Sequence, residues 1–527
     1  MDAREGSLNV PGGSLGVPGG MFGGVFARGG PVADDAAWLR AMLAAEAALA
    51  RALEQAGLAP LGAGASVTEA ATRTADFDIA ELSQSSALTG NPVPGLARAL
   101  TRLVADPDAK AAVHKGATSQ DIMDTAAMLL ARDAIDAIAD SLSVAAAATA
   151  RLADAHRGTL MIGRTLLQQA VPVTFGLVAA GWLAGLDSAL DGLASERETR
   201  LAVQFGGAAG TLASLGPSGA RVKSLMAAEL GLLDPPLPWH TERLRIIDVA
   251  VAMTRVTASL SKIARDVTLL AQTEIGEVSE GSAPTAATPP TAPTDAGPVG
   301  TGASSSYSLS SPSSGSAFAT GPTGGAGGIG RAASSAPRRG GSSAMPNKNN
   351  PVAAVAILGC ARQAGGLLAT LVASAEQEHQ RAAGAWHAEW QPYSHLLQLA
   401  VSAAAWARDL LANLTVNQAR MAANLAATGG LAMAERVTAL LRDSLGAPRA
   451  HDLVAVAAAR AASAGVPFRD ALLNTPDVAS KLAQAGISAD DIDQALNPAD
   501  YLGASDAFIT AALSTHSVAA PPSPHAR

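Results

Sequence analysis

Apolar residues recur at helical spacing along most of the chain. The segment 36–55 places Trp38, Met42 and Leu49 on one face, and Gly57 follows it as a typical helix stop. Shorter helices are predicted at 70–85 and 94–104, and long helices at 120–156, 172–203, 245–276, 351–375 and 389–413. Several of these reach about 25 residues, roughly twice the average helix length. The pattern therefore predicts a protein built from long helices.

The long helices are apolar on more than one face, as in the runs 250–253 and 269–270. Such helices must pack on several sides. We therefore predict an all-α fold in which a central bundle of long helices is completed by other subunits.

Changes in composition divide the chain into segments. Residues 1–30 are rich in glycine, and residues 281–330 consist almost entirely of Gly, Pro, Ala, Ser and Thr, so neither segment has the apolar periodicity to pack a core. After about residue 430 the helices shorten. The predicted organisation is a disordered segment 1–30, an N-terminal helical domain 31–115, a central bundle domain 116–425 with a disordered insertion 281–339, a C-terminal helical domain 426–516, and a tail 517–527.

Composition and charge narrow the class of protein. The single cysteine, Cys360, excludes a disulfide framework, and the net charge of −8 argues against nucleic acid as a partner. The chain opens without a secretory signal, and its uninterrupted apolar runs are shorter than the ~20 residues of a membrane span. We expect a soluble cytoplasmic protein that contacts neither membrane nor nucleic acid, with no cofactor and no metal.

The strongest candidate for chemistry is the loop 340–351, which precedes an apolar helix. Asn350 as N-cap and the proline after it predict a helix start, and a helix start together with Lys348 forms a site for an anion. Ser342 and Ser343 lie within a few residues of the lysine. This arrangement suits a mobile loop that brings a hydroxyl onto a bound carboxylate.

A second candidate is the stretch 114–121. Thr118 followed by Asp121 is a capping pattern, so another helix is predicted to begin here, with His114 and the hydroxyl of Ser119 close to its first turn. The stretch could form a second carboxylate receptor. Taken alone, a threonine cap is more often structural, and His114 could be an ordinary loop histidine.

These motifs resemble those of one enzyme superfamily. The string Gly-Ser-Ser-x-Met-Pro-x-Lys-x-Asn-Pro at 341–351 matches the signature loop of the fumarase/aspartase superfamily at every fixed position. The stretches 114–121, 203–211, 238–243, 386–390 and 497–503 resemble other motifs of that superfamily. The resemblance extends from residue 21 to 514 apart from the insertion. It implies a three-domain helical fold and a homotetramer whose active sites are shared between protomers.

The resemblance also implies roles for individual residues. Ser342 is the expected catalytic residue, which carries a proton to or from the substrate. The residues expected to bind substrate are His114, Thr118, Ser119, Arg164, Thr165, Gln168, His240, Arg243, Ser343, Met345, Lys348 and Asn350.

One position departs from the pattern of the C–N lyases. Residues 164–166 resemble the Arg-Thr-His motif of the adenylosuccinate and argininosuccinate lyases, but Leu166 stands at the position of the histidine. Leucine cannot transfer a proton. An amine leaves badly unless it is protonated, whereas a carboxylate with a pKa near ~4 leaves unaided. The resemblance therefore points to the lactone-forming cycloisomerase branch, which acts on a muconate tricarboxylate in the protocatechuate branch of aromatic catabolism.

Two alternatives stay open at this point. The chain could be a C–N lyase of the adenylosuccinate type in which His114 or His240 supplies the missing acid. It could also be a non-catalytic oligomeric scaffold that has kept the fold, similar to some superfamily relatives of the eye lens.

Overall fold

The computed structural model describes residues 20–281, 340–341, 345 and 348–519. The predicted disorder of residues 1–19 and 282–339, the two serines at 342 and 343, and the tail beyond 519 lie outside the described residues. The chain divides into a main body, with described residues 20–281 and 351–519, and a separate short unit that holds the described residues between 340 and 350.

The main body is built from helices and two short two-stranded sheets. The helices are α1 (Gly23–Phe26), α2 (Asp35–Gln55), α3 (Ala63–Thr72), α4 (Ile79–Thr89), α5 (Val93–Leu103), α6 (Ser119–Ala155), α7 (Phe175–Thr199), α8 (Gly219–Leu230), α9 (Leu244–Leu270), α10 (Val352–Ala373), α11 (Ala385–Ala412), α12 (Gln418–Ala426), α13 (Ala434–Leu445), α14 (Ala447–Ala464), α15 (Phe468–Asn474), α16 (Pro476–Gln484), α17 (Ala489–Ala495) and α18 (Ser505–Ala519). The strands are β1 (Leu160–Thr165), β2 (Gln168–Thr174), β3 (Val278–Glu280) and β4 (Leu414–Val416). Each pair is antiparallel.

The long helices form a closed bundle. Helix α6 packs against α7, α7 against α9, α9 against α10, α10 against α11, and α11 returns to α6. Their shared core is rich in alanine and leucine, whose small or unbranched side chains allow long helices to pack closely. The predicted all-α fold class is confirmed.

Residues 20–32 lie along α11 and are hydrogen-bonded to it. The carbonyl of Val25 accepts hydrogen bonds from Ser402 and Trp406, and the N–H of Val32 donates to Gln398. This differs from the expectation that residues up to 30 are disordered. Polar side chains on α11, which the glycine-rich composition of the segment does not reveal, hold the segment in place.

A β-hairpin occupies part of the region predicted as helix from residue 172. Strands β1 and β2 pair, and α7 begins only at Phe175, where the Thr174 hydroxyl accepts a hydrogen bond from the N–H of Leu177. The β-branched residues of β2 explain the difference, because they favour a strand. The hairpin tip is Leu166 and Leu167, both at positive φ and both exposed.

The C-terminal helices α13 to α17 enclose a small core of their own around Phe468. Helix α18 leaves that core and packs against α7 and α6. It continues to Ala519 and therefore includes the first three residues of the tail predicted from residue 517.

Among the described residues, two helices, α7 and α10, are long and apolar enough by length and composition to cross a membrane. Both are members of the bundle, with α7 between α6 and α9 and α10 between α9 and α11. The bundle buries 44% of the apolar window of α7 and 33% of that of α10.

Candidate active site

The first turn of α6 is organised around one buried carboxylate, that of Asp121. It accepts a hydrogen bond from the N–H of Thr118 at 2.9 Å and lies 2.6 Å from Nε2 of His240. Asp121 is fully buried and His240 nearly so. The predicted helix start is therefore present. Asp121, the acidic residue of its capping motif, also binds His240 from a distant part of the chain.

Two glycines bring a second backbone segment against the same carboxylate. The N–H groups of Gly206 and Gly207 each donate to Asp121 at 2.9 Å. A Cβ at Gly206 would lie 2.6 Å from the His240 ring, and Gly207 has a φ of +67°. A side chain at Gly206 would clash with His240 and Pro238, and one at Gly207 would clash with the carbonyl of Gly116, so the close approach of this segment to Asp121 requires glycine at both positions.

Arg243 lies at the centre of a buried ion-pair network. Its guanidinium donates to both oxygens of Asp124 on α6, at 2.7 and 3.0 Å, and to Glu389 on α11. Trp386 also donates to Asp124, at 3.1 Å. The side chain of Arg243 is 1% exposed.

This network changes the role expected for Arg243. Burial raises the pKa of Glu389, although its contact with Arg243 opposes the rise. Burial alone would lower the pKa of Arg243, but Asp124 and Glu389 outweigh it and raise that pKa. Because two carboxylates already take its donors, Arg243 holds α6 and α11 together instead of offering a free charge to a substrate.

His114 is held by a carboxylate from α2. The N–H of His114 donates to Glu46 at 3.0 Å, and ring atom Nδ1 lies 2.6 Å from the other oxygen of the same carboxylate. Glu46 is fully buried, and the backbone of His114 has a φ of +56°. One buried side chain therefore fixes both the backbone and the ring of this predicted site residue.

Arg381, in the loop between α10 and α11, was missed by the sequence analysis. Its guanidinium donates to the carbonyl of Gly207, next to the start of α6. Burial lowers its pKa, and the charges of Asp121 and Asp124 oppose that shift. Within the described part of the chain it forms no ion pair, so it is a half-buried cation near the start of α6 that is available to an anion.

The residues predicted on the β1–β2 hairpin lie in a different part of the body. Arg164 forms a bidentate ion pair with Glu277, at 2.8 and 2.9 Å, and Asn424 donates to the same carboxylate. Thr165 and Gln168 are paired across the hairpin and exposed. The hydrogen bonds and ion pairs of Arg164 involve none of the residues around Asp121, so one chain does not unite the two groups by direct contact.

The signature loop forms a short unit with its own hydrogen bonds. The N–H and the side-chain amide of Asn350 both donate to the carbonyl of Gly340, at 2.9 and 3.1 Å. The N–H of Lys348 donates to the carbonyl of Met345. Ser342 and Ser343 lie outside the described residues, so their predicted roles are not tested by the structure.

The helix after this loop begins one residue later than predicted. Helix α10 starts at Val352, and Asn350 bonds within the loop instead of capping the helix. The N–H groups of Ala353 and Ala354 donate to the carboxylate of Glu280, at 3.0 and 2.9 Å. The expectation that this helix start receives a substrate anion is therefore wrong for these two groups, because a protein carboxylate already occupies them.

A cavity of about 490 Å³ lies between α2, α4 and α11. Its walls include Trp38, Met42, Met123 and Trp390, and none of the described residues that line it is an arginine or a lysine. The cavity is mainly apolar, so it does not suit a polyanion.

Comparison with known proteins identifies the family. A family model described as Lyase matches residues 32–287, and a model described as Adenylosuccinate lyase C-terminus matches residues 430–512. The chain is 41% identical over 478 residues to a 3-carboxy-cis,cis-muconate cycloisomerase from Bradyrhizobium diazoefficiens, covering 90% of this chain and 93% of the relative. The chain belongs to the fumarase/aspartase superfamily.

Two further relatives refine the position within the superfamily. The crystal structure of a 3-carboxy-cis,cis-muconate lactonizing enzyme from Pseudomonas putida superimposes with a TM-score of 0.76 at 35% identity, covering 92% of this chain and 96% of that one. A nitrosuccinate lyase from Streptomyces davaonensis is 40% identical, over 91% of this chain and 90% of the relative. The superfamily predicted from the signature loop is confirmed.

Sequence motifs located most of the cations of the site but missed Arg381 and the carboxylates that bind the others. The carboxylates missed are Glu46, Asp124, Glu277, Glu280 and Glu389. Asp124 follows the stretch 114–121, one helical turn after Asp121, and Glu389 lies within the stretch 386–390, so a local signal was available for both. The remaining residues lie far from their partners in sequence and outside these stretches.

Proposed function

We propose that the chain interconverts 3-carboxy-cis,cis-muconate and its carboxymuconolactone, as an intramolecular lyase of aromatic catabolism. The observation that carries the proposal is the intact signature loop together with Leu166 at the position of the C–N lyase histidine. The cycloisomerase relatives at 36–41% identity support it.

The proposed reaction balances without an external reagent. One carboxylate oxygen of the substrate forms a C–O bond to a carbon of a double bond, and a proton is added to the neighbouring carbon. In the reverse direction a base removes that proton, negative charge moves onto the adjacent carboxylate, and the ring C–O bond breaks. Stabilising the charge on that carboxylate is the larger task for the protein.

Roles follow for the residues of the site. Ser342 carries the proton, which requires a closed loop and nearby positive charge because a free hydroxyl is a poor base. Lys348 supplies charge from the loop, and Thr118 and Ser119 supply donors from the start of α6. The half-buried Arg381 adds a cation beside them.

Nitrosuccinate cleavage is a second candidate. The relative named nitrosuccinate lyase is nearly as similar as the first cycloisomerase. Nitrite, like a carboxylate, is a weak base that leaves without a proton donor, so Leu166 is compatible with both reactions. Leu166 argues only against the adenylosuccinate type.

Turnover of three substrates tests the proposal. The purified chain is incubated with 3-carboxy-cis,cis-muconate, nitrosuccinate and adenylosuccinate, and lactone, nitrite and AMP are measured. We expect rapid lactone formation that the S342A substitution reduces by several orders of magnitude. Nitrite release without lactone would establish the second candidate, and turnover of none would favour a scaffold.

We also propose a cytoplasmic homotetramer in which each active site combines groups from several protomers, with a small tricarboxylate as substrate. The separation of the Arg164 group from the Asp121 group within one chain supports shared sites. The exposed leucines at the hairpin tip support burial of that tip by another protomer.

A further inference from the structure

Glu46 is a charged residue in the middle of α2, where the sequence pattern predicts only apolar packing. It is fully buried, and its hydrogen-bond partners among the described residues are the backbone N–H and ring Nδ1 of His114, at 3.0 and 2.6 Å. A buried carboxylate without a partner is costly, so each residue requires the other. The bonds also hold His114 in a left-handed conformation that few residues other than glycine adopt.

The arrangement determines what the other ring nitrogen can do. With Nδ1–H donated to Glu46, Nε2 of His114 is an acceptor if the ring is neutral and a donor if it is charged. The side chain of His114 is 24% exposed, and Nε2 makes no hydrogen bond to the described residues. Only the charged ring can therefore donate to an anion from this position.

The charges around the ring favour that state. Glu46 faces it from α2, and Asp121, which is also bonded to His240, faces it from α6. The neighbouring Lys115 turns its ammonium group away, to the carbonyl of Leu58. Burial alone lowers the pKa of His114, but the hydrogen bond and charge of Glu46, with the charge of Asp121, raise it above its ordinary value.

We propose that Glu46 is a positioning residue that fixes the His114 ring so that Nε2–H donates to a carboxylate of the substrate. This inference rests on the proposed function only in taking the ligand to be a polycarboxylate. Glu46 itself does not touch the substrate. It acts through the orientation and protonation of His114, four residues before the N-cap residue Thr118.

The test measures binding of propane-1,2,3-tricarboxylate to the full chain by calorimetry across about pH 6 to pH 9. For the wild type, Kd should rise as pH passes through the pKa of His114. E46Q should raise Kd about tenfold at about pH 7 and move the rise to lower pH. H114Q should bind weakly with little pH dependence, and the E46Q/H114Q double variant should bind like H114Q.

D187N is the matched control. Asp187 is another buried carboxylate paired with a histidine, His516, at 2.9 Å, but it lies between α7 and α18. Its loss should leave the pH dependence of binding unchanged. If E46Q does not fold, E46D keeps the charge on a shorter chain and should shift the pH dependence by a smaller amount.

Several outcomes would overturn the inference. These are an unchanged pH profile in E46Q, a loss of binding in E46Q that is equally large in the H114Q background, or no binding by the wild type. If the probe binds as described but carboxymuconate is not converted, the proposed function fails while the role of Glu46 stands.

Discussion

At the scale of single residues, buried carboxylates decide which cations of this protein remain available to an anion. Arg243 is shared between Asp124 and Glu389, and Arg164 is bound to Glu277. Among the described residues, the hydrogen bonds of Arg381 all go to backbone carbonyls. Arg381 is a cation near the start of α6 with no ion pair to a described residue, so it is the better candidate for binding substrate, although no motif drew attention to it.

The substitution R381Q tests this assignment. We expect KM for 3-carboxy-cis,cis-muconate to rise about tenfold or more, because one charge-assisted hydrogen bond to a carboxylate is lost. R381K should restore part of the affinity. The matched control is R245Q, since Arg245 is also half-buried and donates to a carbonyl, that of Arg200. Equal effects of both substitutions on KM would contradict the assignment.

The pair of His114 and Glu46 also predicts how stability depends on pH. The folded-state pKa of His114 lies above its ordinary value of 6.5. The pair therefore stabilises the fold fully at pH values below the ordinary pKa of 6.5. The stabilisation is lost as pH rises through the folded-state pKa. In urea unfolding, the difference between wild type and E46Q should therefore be largest at about pH 6 and smallest at about pH 9. A constant difference over this range would exclude the titration of His114 as its cause.

At the scale of elements, polar side chains from distant segments hold the helix ends. Glu280, at the end of β3, accepts from the first N–H groups of α10 and so ties together the two sides of the insertion. Asp121 likewise joins the start of α6 to the segment 206–207, because it accepts hydrogen bonds from the N–H groups of that segment. The positions of both helix starts therefore depend on carboxylates that belong to other elements or serve several of them.

The substitution D124A tests the network that joins α6 to α11. Removing Asp124 leaves Arg243 buried with half of its charge partners, so unfolding free energy should fall by about 3–5 kcal/mol. The measurement is urea denaturation. The control D136A removes the partner of Arg197, and both of those side chains are nearly half exposed. That change should cost less than about 1 kcal/mol, and equal losses would contradict the buried network.

At the scale of the whole molecule, the proposed assembly predicts recovery of activity between inactive variants. Co-expression of S342A with a T118A/S119A double variant should restore a measurable part of lactone formation, because mixed tetramers contain sites with all three native residues. S342A with K348A should not recover, since both residues lie in one loop of one chain. Recovery in both mixtures, or in neither, would argue against shared sites.

Sequence motifs predicted the bundle helices to within a few residues at most ends, because their apolar periodicity is long and regular. The β1–β2 hairpin was missed because the end of β2 continues directly into the apolar residues of α7, although the β-branched Val171, Val173 and Thr174 favour a strand. The ordering of residues 20–32 was missed because it depends on Gln398, Ser402 and Trp406 of α11. Site residues within continuous motifs were found, and their distant partners were not.

Local spacing and continuous motifs in the sequence indicate the superfamily, the all-α class and the types of residue available for chemistry. The packing of distant segments in the folded chain shows that Arg243 is neutralised, that Glu280 occupies the start of α10, and that Arg381 has no ion pair among the described residues. The reason is electrostatic. Whether a charged group is available to a ligand depends on which opposite charges pack against it. These partners come from positions more than 70 residues away in the sequence, as for the carboxylate of Glu280 and the N–H of Ala353.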